Sequence, residues 1–317
     1  MSFPGSFAAK TAMACDKGPL IWRDCGELLM LALSLGLFAA VCWSIHDLMA
    51  RSLAPTLGAY RMSIFVMLIG FVLLSPAIFS SAGLLNGPWS ELWPMIVLGV
   101  TYGIAVSSLF KGFAMAPVSI VGPFTAGYPA LIVIWGMVNG LEPSLLQVLA
   151  IFAILVGAVV VGRYGEEDGG LNAVEKGKLP LVIFFCVLAS VCFAGSVIMG
   201  QNLSPRFGEI ATAGMLRLPA ALVLVPIAFR EKGEMPKFRF SSWGWLAVMS
   251  LLDVSALTGV NYMGRLPGKE MGAMGISAYG GIAVLLAMIF LKEKVSLPQW
   301  FGIGLTVAGV AVLGTSV

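Results

Sequence analysis

Charge is what this chain has least of. Only 11% of its 317 residues are Asp, Glu, Lys or Arg, against about a quarter in a soluble globular domain, too few to cover a water-facing surface of this size. Histidine occurs once, as His46, which excludes a multi-histidine metal site although carboxylates could still hold a hard cation. No GxxxxGK[ST] motif is present and no soluble stretch could house one, so energy must come from a gradient or from partner exchange rather than ATP. The net charge of +3 is spread over short loops without a Lys/Arg block, which argues against a nucleic-acid partner. Cys15, Cys25, Cys42, Cys186 and Cys192 show no CxxC spacing and suit packing. No cofactor signature is seen.

What is present is apolar sequence, 59% of the chain. The uncharged runs Leu28–Ile45, Met62–Ser90, Leu92–Phe110, Gly112–Leu141, Pro143–Gly162, Leu179–Pro205, Met271–Leu291 and Val295–Val317 each suit one helical crossing of a bilayer. Two more, at about 208–229 and 240–263, are each interrupted in their interior by one charge, Arg217 and Asp253, with Glu209 at the edge of the first. Thirty-eight glycines and 17 prolines fit membrane helices, where close packing replaces the hydrophobic drive. The expectation is an all-α polytopic membrane protein of about ten transmembrane helices, multi-pass in a bacterial inner (plasma) membrane and contacting lipids. Residues 1–27 read as a solvated tail and not as a signal peptide.

The hydrophilic segment 163–178 divides the chain near its middle, leaving 28–162 and 179–317 with five crossings each. The halves align. A shift of 152 places Gln147 on Gln299, Gly157 on Gly309, Gly162 on Gly314, Trp93 on Trp245 and Thr125 on Ser277. A shift of 150 places Cys42-Trp43-Ser44 on Cys192-Phe193-Ala194, and Pro55 on Pro205. An odd number of crossings per copy turns the second upside down relative to the first, the inverted repeat found in many secondary transporters.

Trp43-Ser44, Pro55, Arg61, Ala116-Pro117-Val118-Ser119, Pro129, and Glu142 followed by Gln147 resemble the EamA-type repeat of the drug/metabolite transporter superfamily. Pro205, Arg217, Leu291-Lys292-Glu293 and Gln299-Trp300-Phe301-Gly302 resemble it again in the second half. Gly281 stands where Pro129 stands in the first copy, and the Glu142 to Gln147 spacing is one shorter than Glu293 to Gln299. The resemblance implies ten helices in two inverted five-helix repeats around a cavity, with alternating access of a small organic metabolite. It also implies cytoplasmic termini. Lys10, Lys17 and Arg23 ahead of the first span agree, whereas a loop-by-loop count of Lys and Arg, 6 on the side of the termini and 11 on the other, points the opposite way.

A charge at the bilayer midplane costs at least about 2.5–3.5 kcal/mol, so one kept there faces a cavity or a partner. Arg217 and Asp253 lie at similar depth on consecutive antiparallel spans. They form either a structural pair, or a site in which Arg217 receives a carboxylate or phosphate and Asp253 an amine or coupling proton. A second group, Trp43, His46 and Asp47 near the end of the first span with Arg61 and Lys111, is expected on one side of the membrane. There Arg61 and Lys111 could simply snorkel to the interface, and His46 either packs or serves a proton-linked step. Tyr102, Tyr128, Asn261 and Tyr279 add polar aromatic or amide groups, and Pro129 with Gly280-Gly281 are expected to interrupt the fourth and ninth helices.

These residues support a secondary transporter or exporter for a small zwitterionic or anionic metabolite such as an amino acid, with a proton or sodium as possible coupling ion. An alternative is a carrier for an organic amine or quaternary ammonium, held by Trp43, Tyr102 and Tyr279 with Asp47 or Asp253 as counter-charge. An intramembrane enzyme built on Ser277 and His46 is remote, and a scaffold would need a cavity filled by side chains.

Overall fold

The computed structural model describes residues 19–81, 92–125, 128–140, 142–164, 178–231, 240–266, 269–292 and 295–315. The helices in chain order are α1 (Pro19–Leu57), α2 (Ala59–Phe79), α3 (Trp93–Met115), α4 (described as Val118–Thr125 and Tyr128–Val138), α5 (Leu145–Arg163), and α6 (Leu179–Phe207). They continue as α7 (Glu209–Met215 and Arg217–Ala228), α8 (Phe240–Met263), α9 (Lys269–Ser277 and Tyr279–Leu286, running into a π-helical turn at Ala287–Leu291) and α10 (Leu297–Thr315). Among the described residues there is no strand. The hydrophilic segment at 163–178 lies outside the described residues except at its ends, as do residues 1–18 of the expected tail. α1 already begins at Pro19, inside that tail.

Burial is inverted relative to a soluble protein. Leu297, Phe229, Val138 and Leu145 are exposed to 75% or more, as lipid-facing positions should be, while Ser44, His46, Asp47, Arg217, Asp253 and Asn261 are buried. Among the described residues, six helices carry a continuous stretch long and apolar enough for a crossing on length and composition alone. This is an integral, multi-pass membrane protein of two inverted five-helix repeats.

The repeat is visible in local chemistry. Ser144 and Gln147 cap α5 reciprocally (Ser144 N–H to Gln147 Oε1 2.8 Å, Gln147 N–H to Ser144 Oγ 3.2 Å). Ser296 N–H donates to Gln299 Oε1 at 2.7 Å at the start of α10, so the glutamines that align the two halves are helix-capping residues. The α1–α2 and α6–α7 joints turn on Gly58 (φ 86°) and Gly208 (φ 89°), a left-handed conformation that a Cβ would penalise. Packing follows the same symmetry: α1 lies against α8 and α9, α6 against α3 and α4, α2 against α7, and α5 against α10.

α1 and α9 meet backbone to backbone. A Cβ at Gly36 would collide with the Gly272 carbonyl, with the Gly272 carbonyl carbon 2.9 Å away, and one at Gly275 would meet Leu33 O at 2.7 Å. Small residues permit this approach, which in a bilayer replaces hydrophobic drive with van der Waals contact. Gly36→Ala is therefore expected to cost about 1–3 kcal/mol through overpacking. Gly304→Ala on α10, where nothing lies within 4 Å, should be neutral or mildly stabilising. Thermal unfolding of the two variants side by side checks this, and equal midpoints would refute the close approach.

Candidate functional site

The apolar run of the first span stops near Ile45, but α1 does not. Its helix continues to Leu57, ten residues or about 15 Å beyond Asp47 at 1.5 Å per residue. Trp43, His46 and Asp47, expected near a membrane face, therefore sit well inside the bundle. The charge is tolerated because it turns inward: Asp47 is 2% exposed.

There they meet residues from five other helices. A small cavity of about 30 Å³ is lined by Trp43, His46 and Asp47 of α1, Tyr102, Val106 and Leu109 of α3, Thr125 and Tyr128 of α4, Phe193 of α6, Asp253 of α8 and Tyr279 of α9. Phe193 was not singled out in the sequence, yet the repeat alignment had set it on Trp43. These symmetry mates face one another's helices across the pocket, and Phe193 holds both Tyr102 (ring centroids 6.0 Å, edge to face) and Tyr128 (5.9 Å).

Two carboxylates organise the polar part. Asp253 Oδ1 accepts hydrogen bonds from Tyr102 Oη at 2.6 Å and Trp43 Nε1 at 3.0 Å, and Oδ2 accepts from Arg217 Nη2 at 2.8 Å. Asp47 Oδ1 lies 2.7 Å from His46 Nδ1, and Asp47 Oδ2 accepts from Tyr279 Oη. With three partners on Asp253 and two on Asp47, both carboxylates serve as acceptors.

Of the two readings of Arg217, the structure shows the pair with Asp253, the guanidinium lying outside the cavity. Arg217 opens the second segment of α7, after the turn at Leu216, and is fully buried without lining the cavity. Its guanidinium is committed to Asp253, to Ala213 O (3.1 Å) and to Met67 Sδ (3.7 Å). A Cβ at Gly70 would lie 2.7 Å from Nη1, so α2 presents a bare backbone for the guanidinium to rest on. Met67 precedes Arg217 by 150 residues, the repeat offset, so the two occupy the same place in opposite copies and touch across the pseudo-twofold axis.

Two other expected site residues also lie elsewhere. Arg61 is at the α1–α2 end, where Glu231 binds the first turn of α2: its carboxylate accepts from Ala59 N–H (2.8 Å), Tyr60 N–H (2.9 Å) and Arg61 N–H (3.2 Å). Arg61 Nη2 donates to Glu231 O at 2.6 Å, and Lys111 Nζ stands 3.8 Å from Glu231 and over the Tyr60 ring. Glu231 was not recognised in the sequence because it follows a span like any loop carboxylate. At the repeat-related end Ser81 stands in the place of Glu231, its Oγ donating to Phe207 O at 2.6 Å. Asn261 belongs to that end too, donating from Nδ2 to Glu209 O (3.3 Å) beside the Arg265–Glu209 ion pair (2.6 Å), away from the cavity.

The expected interruptions shift as well. Gly280 and Gly281 lie inside a helical segment, and α9 instead turns at Ala278, whose N–H reaches back three residues to Gly275 O at 3.2 Å. Pro129 directly follows Tyr128, the first residue of the second described part of α4; residues 126–127 lie outside the described residues, as does the side chain of Ser277. Among the described residues no three His, Cys, Asp or Glu side chains gather as a metal site would require.

An inverted repeat of ten membrane helices around a small cavity is an architecture shared by many membrane transporters. The profile of the EamA-like transporter family matches residues 30–163 and 180–315, so the chain belongs to that family, within the drug/metabolite transporter superfamily, and is a membrane transporter of small solutes rather than an enzyme. It is 21% identical over 290 residues to an uncharacterized transporter of Archaeoglobus fulgidus, covering 90% of this chain and 98% of that one. A solved structure described only as the crystal structure of a protein superposes with a TM-score of 0.66 at 20% identity, over 89% of this chain and 95% of the other, which shows a shared fold.

Proposed function

We propose that this transporter moves a small organic cation, an amine, across a bacterial inner membrane by alternating access. The observation that carries the reading is the sealing of Arg217: the one guanidinium at this depth is spent on Asp253 outside the cavity, while Asp47, Asp253 and the rings of Trp43, Tyr102, Tyr128, Phe193 and Tyr279 line it. A cavity with carboxylates and aromatic faces attracts a cation through both charge and ring quadrupoles. An anion would meet two carboxylates and no open positive group. An amino acid would place its ammonium well and leave its carboxylate unpaired, so the zwitterionic and anionic readings fit less closely.

Alternating access has support in the separate polar fastenings at the two ends of the bundle, Glu231 on the first-turn amides of α2 at one and Ser81 with the Arg265–Glu209 pair at the other. An all-helical span pattern suits an inner membrane, since outer-membrane proteins are barrels.

Counterflow in proteoliposomes tests the reading. Vesicles preloaded with 2-phenylethylamine should accumulate the labelled amine, whereas vesicles preloaded with 3-phenylpropionate should not accumulate labelled 3-phenylpropionate. The reverse pattern would discard the cation reading.

A further inference from the structure

Hydrogen-bonding capacity in the cavity is nearly all consumed by the protein itself. Trp43 Nε1 and the hydroxyls of Tyr102 and Tyr279 are donated to the carboxylates, and Thr125 Oγ1 donates to the carbonyls of Val121 and Gly122 within its own helix. Two lining atoms are left over. His46 Nε2 and Tyr128 Oη are buried with no hydrogen-bond partner among the described residues, on side chains only 3% and 5% exposed. Buried polar groups in native proteins are almost always paired, and two orphans in the same cavity mark the places where a ligand completes the set.

The state of His46 follows from its neighbours. Asp47 on the same helix is acceptor-only, with Tyr279 of α9 on its second oxygen, so His46 Nδ1 carries the hydrogen of their 2.7 Å contact. Phe110 of α3 covers the ring at 5.4 Å between centroids, and Asp253 of α8 shares the cavity. With the Asp47 contact made through Nδ1, Nε2 is the ring atom left to meet a ligand.

We propose that the cargo is recognised as an N–H donor: its ammonium donates to His46 Nε2 while Tyr128 Oη takes a second hydrogen bond, so primary and secondary amines are bound and quaternary ammonium is rejected. This rests on the cation reading and divides its class in two. An aromatic cage alone would not discriminate, since it holds quaternary ammonium well, and each added methyl makes a ligand more apolar and favours burial. A site with a waiting acceptor reverses that order, because the methylated nitrogen leaves the lone pair unmet and presses a methyl against it.

The test is binding of 2-phenylethylamine and its N-methyl, N,N-dimethyl and N,N,N-trimethyl derivatives to the purified protein, by calorimetry, in wild type and Tyr128→Phe. Affinity is expected to fall along the series, with a drop of about tenfold or more at the trimethyl compound, the first with no N–H. Tyr128→Phe is expected to weaken the primary amine by roughly 2- to 10-fold while leaving the ligand-free melting temperature unchanged or raised, because an unpaired hydroxyl has been removed. A trimethyl compound that binds as well as the primary amine overturns the N–H donor inference and leaves the cation reading standing. Binding of 3-phenylpropionate with none of the four amines overturns both. A Tyr128→Phe protein that melts lower with unchanged amine affinity assigns Tyr128 to packing and removes it from recognition.

Discussion

Asp253→Ala is expected to destabilise the protein by about 3–5 kcal/mol, the range for leaving one partner of a buried ion pair uncompensated. The guanidinium of Arg217 is fully buried and would lose its only charged partner at 2.8 Å. Tyr102 and Trp43 would lose their acceptor in the same step. The loss belongs to the unpaired charge more than to the pair, so Arg217→Met combined with Asp253→Ala should recover most of it. Methionine is the residue the first repeat places at the matching position, Met67, and the thioether adapts to irregular space. Thermal unfolding in detergent compares the three proteins. A double variant no more stable than Asp253→Ala alone would show that the pair itself, and not the stranded guanidinium, carries the energy.

Asp47→Asn is expected to have the largest effect on cargo. Asparagine keeps the shape: its oxygen can accept from Tyr279 Oη while its amide donates to His46 Nδ1 once the ring hydrogen moves to Nε2, so the fold should lose little. What disappears is the carboxylate that has no guanidinium or ammonium opposite it: Asp253 is neutralised by Arg217, and Asp47 has only His46. A charge-assisted contact in a buried site contributes about 2–3 kcal/mol, so amine affinity should fall on the order of a hundredfold with the melting temperature of the empty protein almost unchanged. Calorimetric titration of 2-phenylethylamine measures it. Unaltered affinity would move the cation to Asp253 and away from α1.

The crossings and the duplication were legible because they are written in long-range pattern: uncharged runs of crossing length and a constant offset between halves. The Arg217–Asp253 pair was legible for a related reason, each being one charge in an otherwise apolar span. The depth of His46 and Asp47 was not. A carboxylate at the end of an apolar run reads as the end of a span, and only the continuation of α1 to Leu57 with its polar face inward makes it central. The sealing of Arg217 was equally hidden, because Gly70 and Met67, which make room for and touch the guanidinium, look like ordinary residues of a membrane helix. Phe193 could have been found, since it occupies the position of Trp43 in the second copy. Glu231 carried no such signal.

The contact between Arg217 and Met67 joins matching positions of the two halves. Two identical halves assembled head to tail as a dimer would set the same residue against itself on the axis. In the single chain the two copies need not match: a thioether from one half meets a guanidinium from the other, and one carboxylate, Asp253, suffices for the one charge.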